Sequence, residues 1–135
     1  MSVQDAADAL HARLLDSVAS ADDSCVEYLL PDAARNGEVA IMAVDGKIVR
    51  VSMFAPGLGV RTSEGIGIGS PDGEVHAAYP NVTREFAPYD GPPAHDLVAW
   101  RRQEVDGIRF EIDRHGRVES MHAGNRAITY IEGCL

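Results

Sequence analysis

The residues of this sequence that could do chemistry are few and scattered. Five histidines occur, His11, His76, His95, His115 and His122. None stands in an H-x-x-x-H or HExxH arrangement, so the spacing of a metallohydrolase helix is missing. Cys25 and Cys134 form no CxxC and no Cys/His cluster, which argues against a metal site. His122 with Glu119 on one strand could act as a general acid–base pair if both faced a cleft. Three residues apart on a regular strand they point to opposite faces, which counts against the pair. His11 and His76 read as surface or packing residues of two helices, and His115 as a solvated turn residue. Ser63 and Ser70 flank a glycine run without the G-x-S-x-G elbow of a serine hydrolase.

That run, "EGIGIGSPDGEVHAAYP" from Glu64, asks whether phosphate is cradled here. A dinucleotide loop needs G-x-G-x-x-G between strand and helix. Gly65, Gly67 and Gly69 alternate instead, Ser70 holds the third glycine's place, and no P-loop lysine follows. Ser70 as N-cap, Pro71 as first helical residue and acidic Asp72 and Glu74 behind them make a helix entrance. No cofactor is expected.

The elements that must position these residues follow from pattern. Ser2 to Ser20 carries apolar residues at helical spacing, with Ser2 as N-cap and Asp5 in the first turn. "CVEYLL", "EVAIMAV" and "KIVRVSMF" read as strands, the last two joined by an Asp45-Gly46 hairpin turn. "LVAWRRQ", "GIRFEID" and "RVESMHA" read as three more, with "DRHG" turning between the last two. "AITYIEG" reads as a short final strand. The halves resemble each other: helix follows helix at an offset of 68 residues, and hairpin follows hairpin at 70. The expected fold is α+β, with two helix-plus-three-strand repeats, residues 1–60 and 61–135. Their antiparallel strands would form one sheet with both helices on one face. The glycine run is then the entrance to the second repeat. The first repeat begins at once after Met1, which points to a leader ahead of it.

Composition narrows the classes. Of 135 residues 45% are hydrophobic, enough for one packed domain, and no apolar run is long enough to span a bilayer. The net charge of −9 repels nucleic-acid backbones and would attract a basic protein. Solubility alone also accounts for such a charge. The stretch from Pro80 to Arg101 is a long Pro/Gly loop running into a strand. It brings together Phe86, Tyr89, Trp100 and Arg101, residue types that anchor interfaces. Trp100 on a strand also reads as core.

The runs "VRTSEGIGIGSPDGEVHAAYP", "FEIDRHGRVESMHAG" and "YIEGC" resemble a group of small bacterial exported proteins that end in an EGC motif, over roughly residues 25 to 134. That group tends to carry a cysteine at its first strand and another at the terminal EGC, as Cys25 and Cys134 stand here. More distantly, the helix-plus-three-strand unit resembles small outer-membrane-assembly lipoproteins, and its tandem form resembles beta-lactamase-inhibitor proteins. Residues 1–135 show neither leader nor lipobox cysteine, so export is an expectation that rests on the resemblance. The resemblance implies an extracytoplasmic, periplasmic or secreted protein. The expectation is therefore a non-enzymatic binding or accessory protein, acting on a protein partner, with a Cys25–Cys134 disulfide. A small hydrolase or isomerase with a His/Glu acid–base site is the alternative. Two buried free thiols are the alternative to the bridge.

Overall fold

The computed structural model describes residues 1–10, 15–20, 22–29, 39–54 and 59–134. His11, and the connections read around Pro31 and Pro56, lie outside the described residues. Helix α1 is Val3–Leu10. It opens with a reciprocal cap: Asp5 N–H donates to Ser2 Oγ at 3.0 Å, and Ser2 N–H donates to Asp5 Oδ2 at 3.2 Å. Strands β1 (Leu15–Ala19), β2 (Cys25–Leu29), β3 (Val39–Val44) and β4 (Lys47–Met53) follow. The second half has the same order: α2 (Asp72–Ala78), then β5 (Thr83–Phe86), β6 (His95–Arg102), β7 (Asp106–Ile112) and β8 (Val118–Gly124). Each element of the second half begins about 70 residues after its counterpart in the first. A 3-10 turn, Arg126–Thr129, leads to the C-terminus.

Among the described residues eight strands form one antiparallel sheet in the order β1-β2-β3-β4-β8-β7-β6-β5. Two local meanders meet at a seam, β4 against β8. Four strands follow each helix, rather than the expected three. β1 falls inside the stretch read as helix to Ser20. There the i, i+4 spacing of Leu14 and Val18 suits a helix, but pairing with β2 wins. β5 falls in the stretch read as loop. It is four residues long, fully exposed and paired on one side only, so it carries little periodic signal. "AITYIEG" is not a strand. β8 already has β4 and β7 on its two edges, and Asn125 Oδ1 accepts Ala127 N–H to turn the chain.

The turns follow their chemistry. Asp45 and Gly46 both have positive φ, 50° and 77°, the geometry that a two-residue hairpin demands. In the β7–β8 turn Asp113 Oδ1 accepts the N–H groups of His115 and Arg117. At the glycine run Gly65 and Gly69 turn with positive φ, and Ile66 between them is buried in the core. The helix cap moves by one residue from expectation. Pro71 is the extended residue before α2, and the Ser70 hydroxyl accepts Gly67 N–H rather than a helix N–H.

The sheet has two unlike faces. On the first, Val75 of α2 packs over Leu97, Phe110, Ile112, Val118 and Met121. The alternate residues face the other way. They form a buried polar row, Asp96, Arg109, Ser120, His122, Ser52 and Arg50, with Glu111 partly buried among them. The C-terminal segment crosses this second face. Ala127 packs with Met42 and Cys134, and Cys134 is bonded to Cys25 at the start of β2. The disulfide read from the sequence is present.

Candidate functional site

The polar row is the first concentration of chemistry. Ser52 Oγ lies 2.7 Å from His122 Nδ1, across the seam. His122 Nε2 lies 3.4 Å from Glu111 Oε2, diagonally across the β7–β8 hairpin. The Ser120 hydroxyl donates to the same carboxylate. Arg109 Nη1 reaches Asp96 Oδ2 at 3.1 Å and Glu111 Oε1 at 3.3 Å. Phe54 sets its ring edge-on to His122.

Burial pushes the His122 pKa down, against the pull of Glu111, and so holds the imidazole neutral. A neutral imidazole has one nitrogen to donate and one to accept: Nδ1 is within reach of the Ser52 hydroxyl, and Nε2 lies 3.4 Å from both Glu111 Oε2 and Ser120 Oγ. Burial pushes the Glu111 carboxyl up, but hydrogen bonding from His122 and, once that ring is protonated in acid, its charge, followed by the Ser120 hydroxyl and the charge of Arg109, outweigh it and bring it to about 2. Burial lifts the Asp96 carboxyl more than Arg109 lowers it.

Serine, imidazole and carboxylate in that order are the parts of an activated nucleophile. Ser52 is 1% exposed, however, so its hydroxyl is closed off from solvent. Its hydroxyl serves as a tie between the halves. Glu119 is exposed and lines a hollow with Asp96, Arg109 and Glu111, on the face that buries His122; the β7–β8 register shift beside it breaks the regular alternation that the spacing assumes, and among the described residues no hydrogen bond joins the two. His95 is engaged elsewhere: Nε2 meets Asp72 Oδ2 at 2.5 Å, and Nδ1 meets the Pro93 carbonyl at 2.9 Å.

The second concentration is an open cleft of about 470 Å³ at the end of β6 and β7, beside α2. Tyr79, Ala99, Trp100, Arg101, Ile108 and Ala123 line it. Gly107 is required there, since a Cβ would come within 2.6 Å of Trp100 Cε3. The rim is charged. Arg101 and Arg102 both pair with Asp106, and Tyr79 Oη donates to Glu64 Oε2 at 2.7 Å. Burial, with help from Glu64, pushes the Tyr79 phenol up to about 12, so it stays a neutral donor.

The four residues read from sequence as a binding surface divide. Trp100 and Arg101 share this cleft. Tyr89 stands at a different hollow, with its hydroxyl on Glu132, and Phe86 is exposed at the end of edge strand β5. Tyr79, Ile108, Ser52 and Glu111 escaped the sequence reading. Glu111 had no signal: the "DRHG" turn sets Ile112 opposite Val118, but the register shifts between Ile112 and Glu111, and that bulge puts Glu111 diagonal to His122. Ser52 had none, because its partner lies 70 residues away on another strand pair. A scan against protein-family models finds no match, and comparisons with curated proteins and with solved structures give no significant one.

Proposed function

We propose that this chain is a non-enzymatic, extracytoplasmic binding protein that takes an apolar side chain of a protein partner into the Trp100 cleft. The cleft carries the reading. It joins an aromatic and aliphatic lining to a rim of fixed charges, the anatomy of an interface anchor pocket. The Cys25–Cys134 bridge supports an oxidising compartment, where such bonds persist. The tandem arrangement, one helix with four strands duplicated, supports descent from a repeated unit. In that reading the cleft belongs to the second repeat.

The test is photo-crosslinking in the native host with a benzophenone residue at Arg101. A discrete protein adduct is expected. It is lost in Ala123→Phe, which fills the cleft, and kept in Phe86→Ala, which leaves the cleft intact. An adduct indifferent to Ala123→Phe overturns the proposal.

The Ser52–His122–Glu111 order favours a second reading, a small esterase. Hydrolysis of p-nitrophenyl acetate that disappears in Ser52→Ala would support it. A rate equal in Ser52→Ala and wild type removes it.

A further inference from the structure

A second hollow lies on the opposite side of β6–β8 from α2, between the 87–94 loop and the C-terminal segment. Its floor is Asp96, Arg109 and Glu111, and Asp90 and Glu119 stand at its mouth. Its apolar wall is Pro88, Tyr89 and Ile131. It measures about 180 Å³ and adjoins a second space of about 210 Å³, with which it shares Asp90 and Glu119. Asp113 and Arg114 line that second space. Five carboxylates thus face one continuous depression, against the guanidinium groups of Arg109 and Arg114.

The floor of this set is not saturated. Asp96 is 4% exposed and receives Arg109 on Oδ2 only; among the described residues its Oδ1 accepts no hydrogen bond. Arg109 is 2% exposed and its Nε has no partner among them. Asp96 Oδ1 is thus free to accept a donor that enters the hollow, whereas Arg109 Nε is itself a donor and calls for none. The field acts in the same sense. Burial and then the neighbouring charges of Asp90, Glu111, Asp113 and Asp96 raise the Glu119 carboxyl, a repulsion that an added cation relieves.

The wall selects among cations. Tyr89 is 71% exposed but its hydroxyl is held by Glu132, so the ring stands fixed at the entrance. Ile131 is exposed beside it. An aromatic face and an aliphatic patch leading to carboxylates suit a charged head on an apolar stem. A bare metal ion suits the place less well. Among the described residues no three His, Cys, Asp or Glu side chains are grouped to hold a metal. The net charge of −9 draws such a cation from long range when it is carried on a basic surface.

We propose that this hollow receives the side chain of an arginine or lysine projecting from a basic protein partner. The proposal rests on the reading of the chain as a protein-binding module, but it uses a site separate from the Trp100 cleft.

Titration of the isotope-labelled full chain with an acetylated, amidated Gly-Arg-Gly-Arg-Gly peptide tests it by amide chemical shifts. Shifts are expected at Tyr89, Asp90, Glu119 and Ile131, with Trp100 unmoved. Asp90→Asn with Glu119→Gln, both exposed and near-isosteric, weakens binding by at least about fivefold. Asp5→Asn with Asp8→Asn removes the same charge from α1 and leaves affinity unchanged. Equal weakening by both pairs would reduce the effect to net charge and overturn the site. Tighter binding of spermidine than of the peptide would overturn the protein partner. Shifts confined to the Trp100 cleft would overturn this hollow and leave the cleft reading standing. Failure of Ala123→Phe to affect crosslinking, with the hollow still binding peptide, would do the reverse.

Discussion

Arg50 holds the C-terminal segment to the sheet by its backbone, donating from Nη1 to the carbonyl of Tyr130 at 2.8 Å and to that of Ala127 at 3.2 Å. Its second terminal nitrogen, Nη2, pairs with Glu27 Oε1 at 2.9 Å. One buried guanidinium thus ties three pieces of chain. Arg50→Met should destabilise the fold by about 3–5 kcal/mol, because it strands a carboxylate and two carbonyls. Arg50→Lys should restore little of this, since an ammonium cannot reproduce the fork. Urea unfolding of the three proteins measures the difference.

The Cys25–Cys134 bridge closes a span of 109 residues. Chain entropy assigns such a loop about 4–5 kcal/mol as an upper figure. Cys25→Ala with Cys134→Ala should lower the unfolding midpoint accordingly and raise amide exchange first over residues 125–134. A double variant as stable as the bridged protein would count against this role.

Stability should fall on acidification in two stages. Burial depresses His122 below its ordinary 6.5, so the unfolded chain takes up the proton more readily. Stability is therefore full above about pH 6.5 and declines below it. The Glu111 carboxyl lies at about 2 when folded against an ordinary 4.5, so its contribution is lost as pH falls from 4.5 towards 2. Asp96, raised by burial, acts in the opposite sense near its own range. His122→Phe should flatten the first stage and also weaken the second, since His122 is the largest of the groups that hold the Glu111 carboxyl low. An unchanged slope between pH 5 and 7 would contradict the neutral imidazole.

Two glycines should respond oppositely to alanine. At Gly124 a Cβ would come 2.1 Å from the Val49 carbonyl oxygen, so the seam must part. Gly124→Ala should cost upwards of about 3 kcal/mol. Gly73 lies inside α2, its φ is not positive, and a Cβ there would meet nothing within 4 Å. Gly73→Ala should stabilise by about 0.5–1 kcal/mol. Thermal melts of both variants check the pair.

What was legible in the sequence was local. Asp45-Gly46, the "DRHG" turn, the Ser2 cap and the glycine entrance to α2 each declare themselves within a few residues. The α+β class followed from them, while the bridge was one of two readings of Cys25 and Cys134, the other being two buried free thiols. β1 and β5 stayed hidden because their order comes from neighbours rather than from their own periodicity. The buried row stayed hidden for a stronger reason. Arg50, Ser52, Arg109 and His122 look like solvent-facing alternates of amphipathic strands. Only the C-terminal segment lying across them makes them interior, and that segment read as another strand. The Trp100 cleft needed Tyr79 from just past the end of α2 and Ile108 from a hairpin, a meeting that no spacing records.

The seam also fixes an order of events in synthesis. The first meander is made complete with β4 as a bare edge, since its partner β8 begins only at Val118, and Cys25 waits for Cys134. Until the second half has emerged, the first presents an unpaired strand and a reactive thiol together, the features that invite wrong partners. Fidelity of assembly therefore depends on how soon the second half arrives, which makes the arrival of β8 and Cys134 the step that commits the nascent protein to its native pairing.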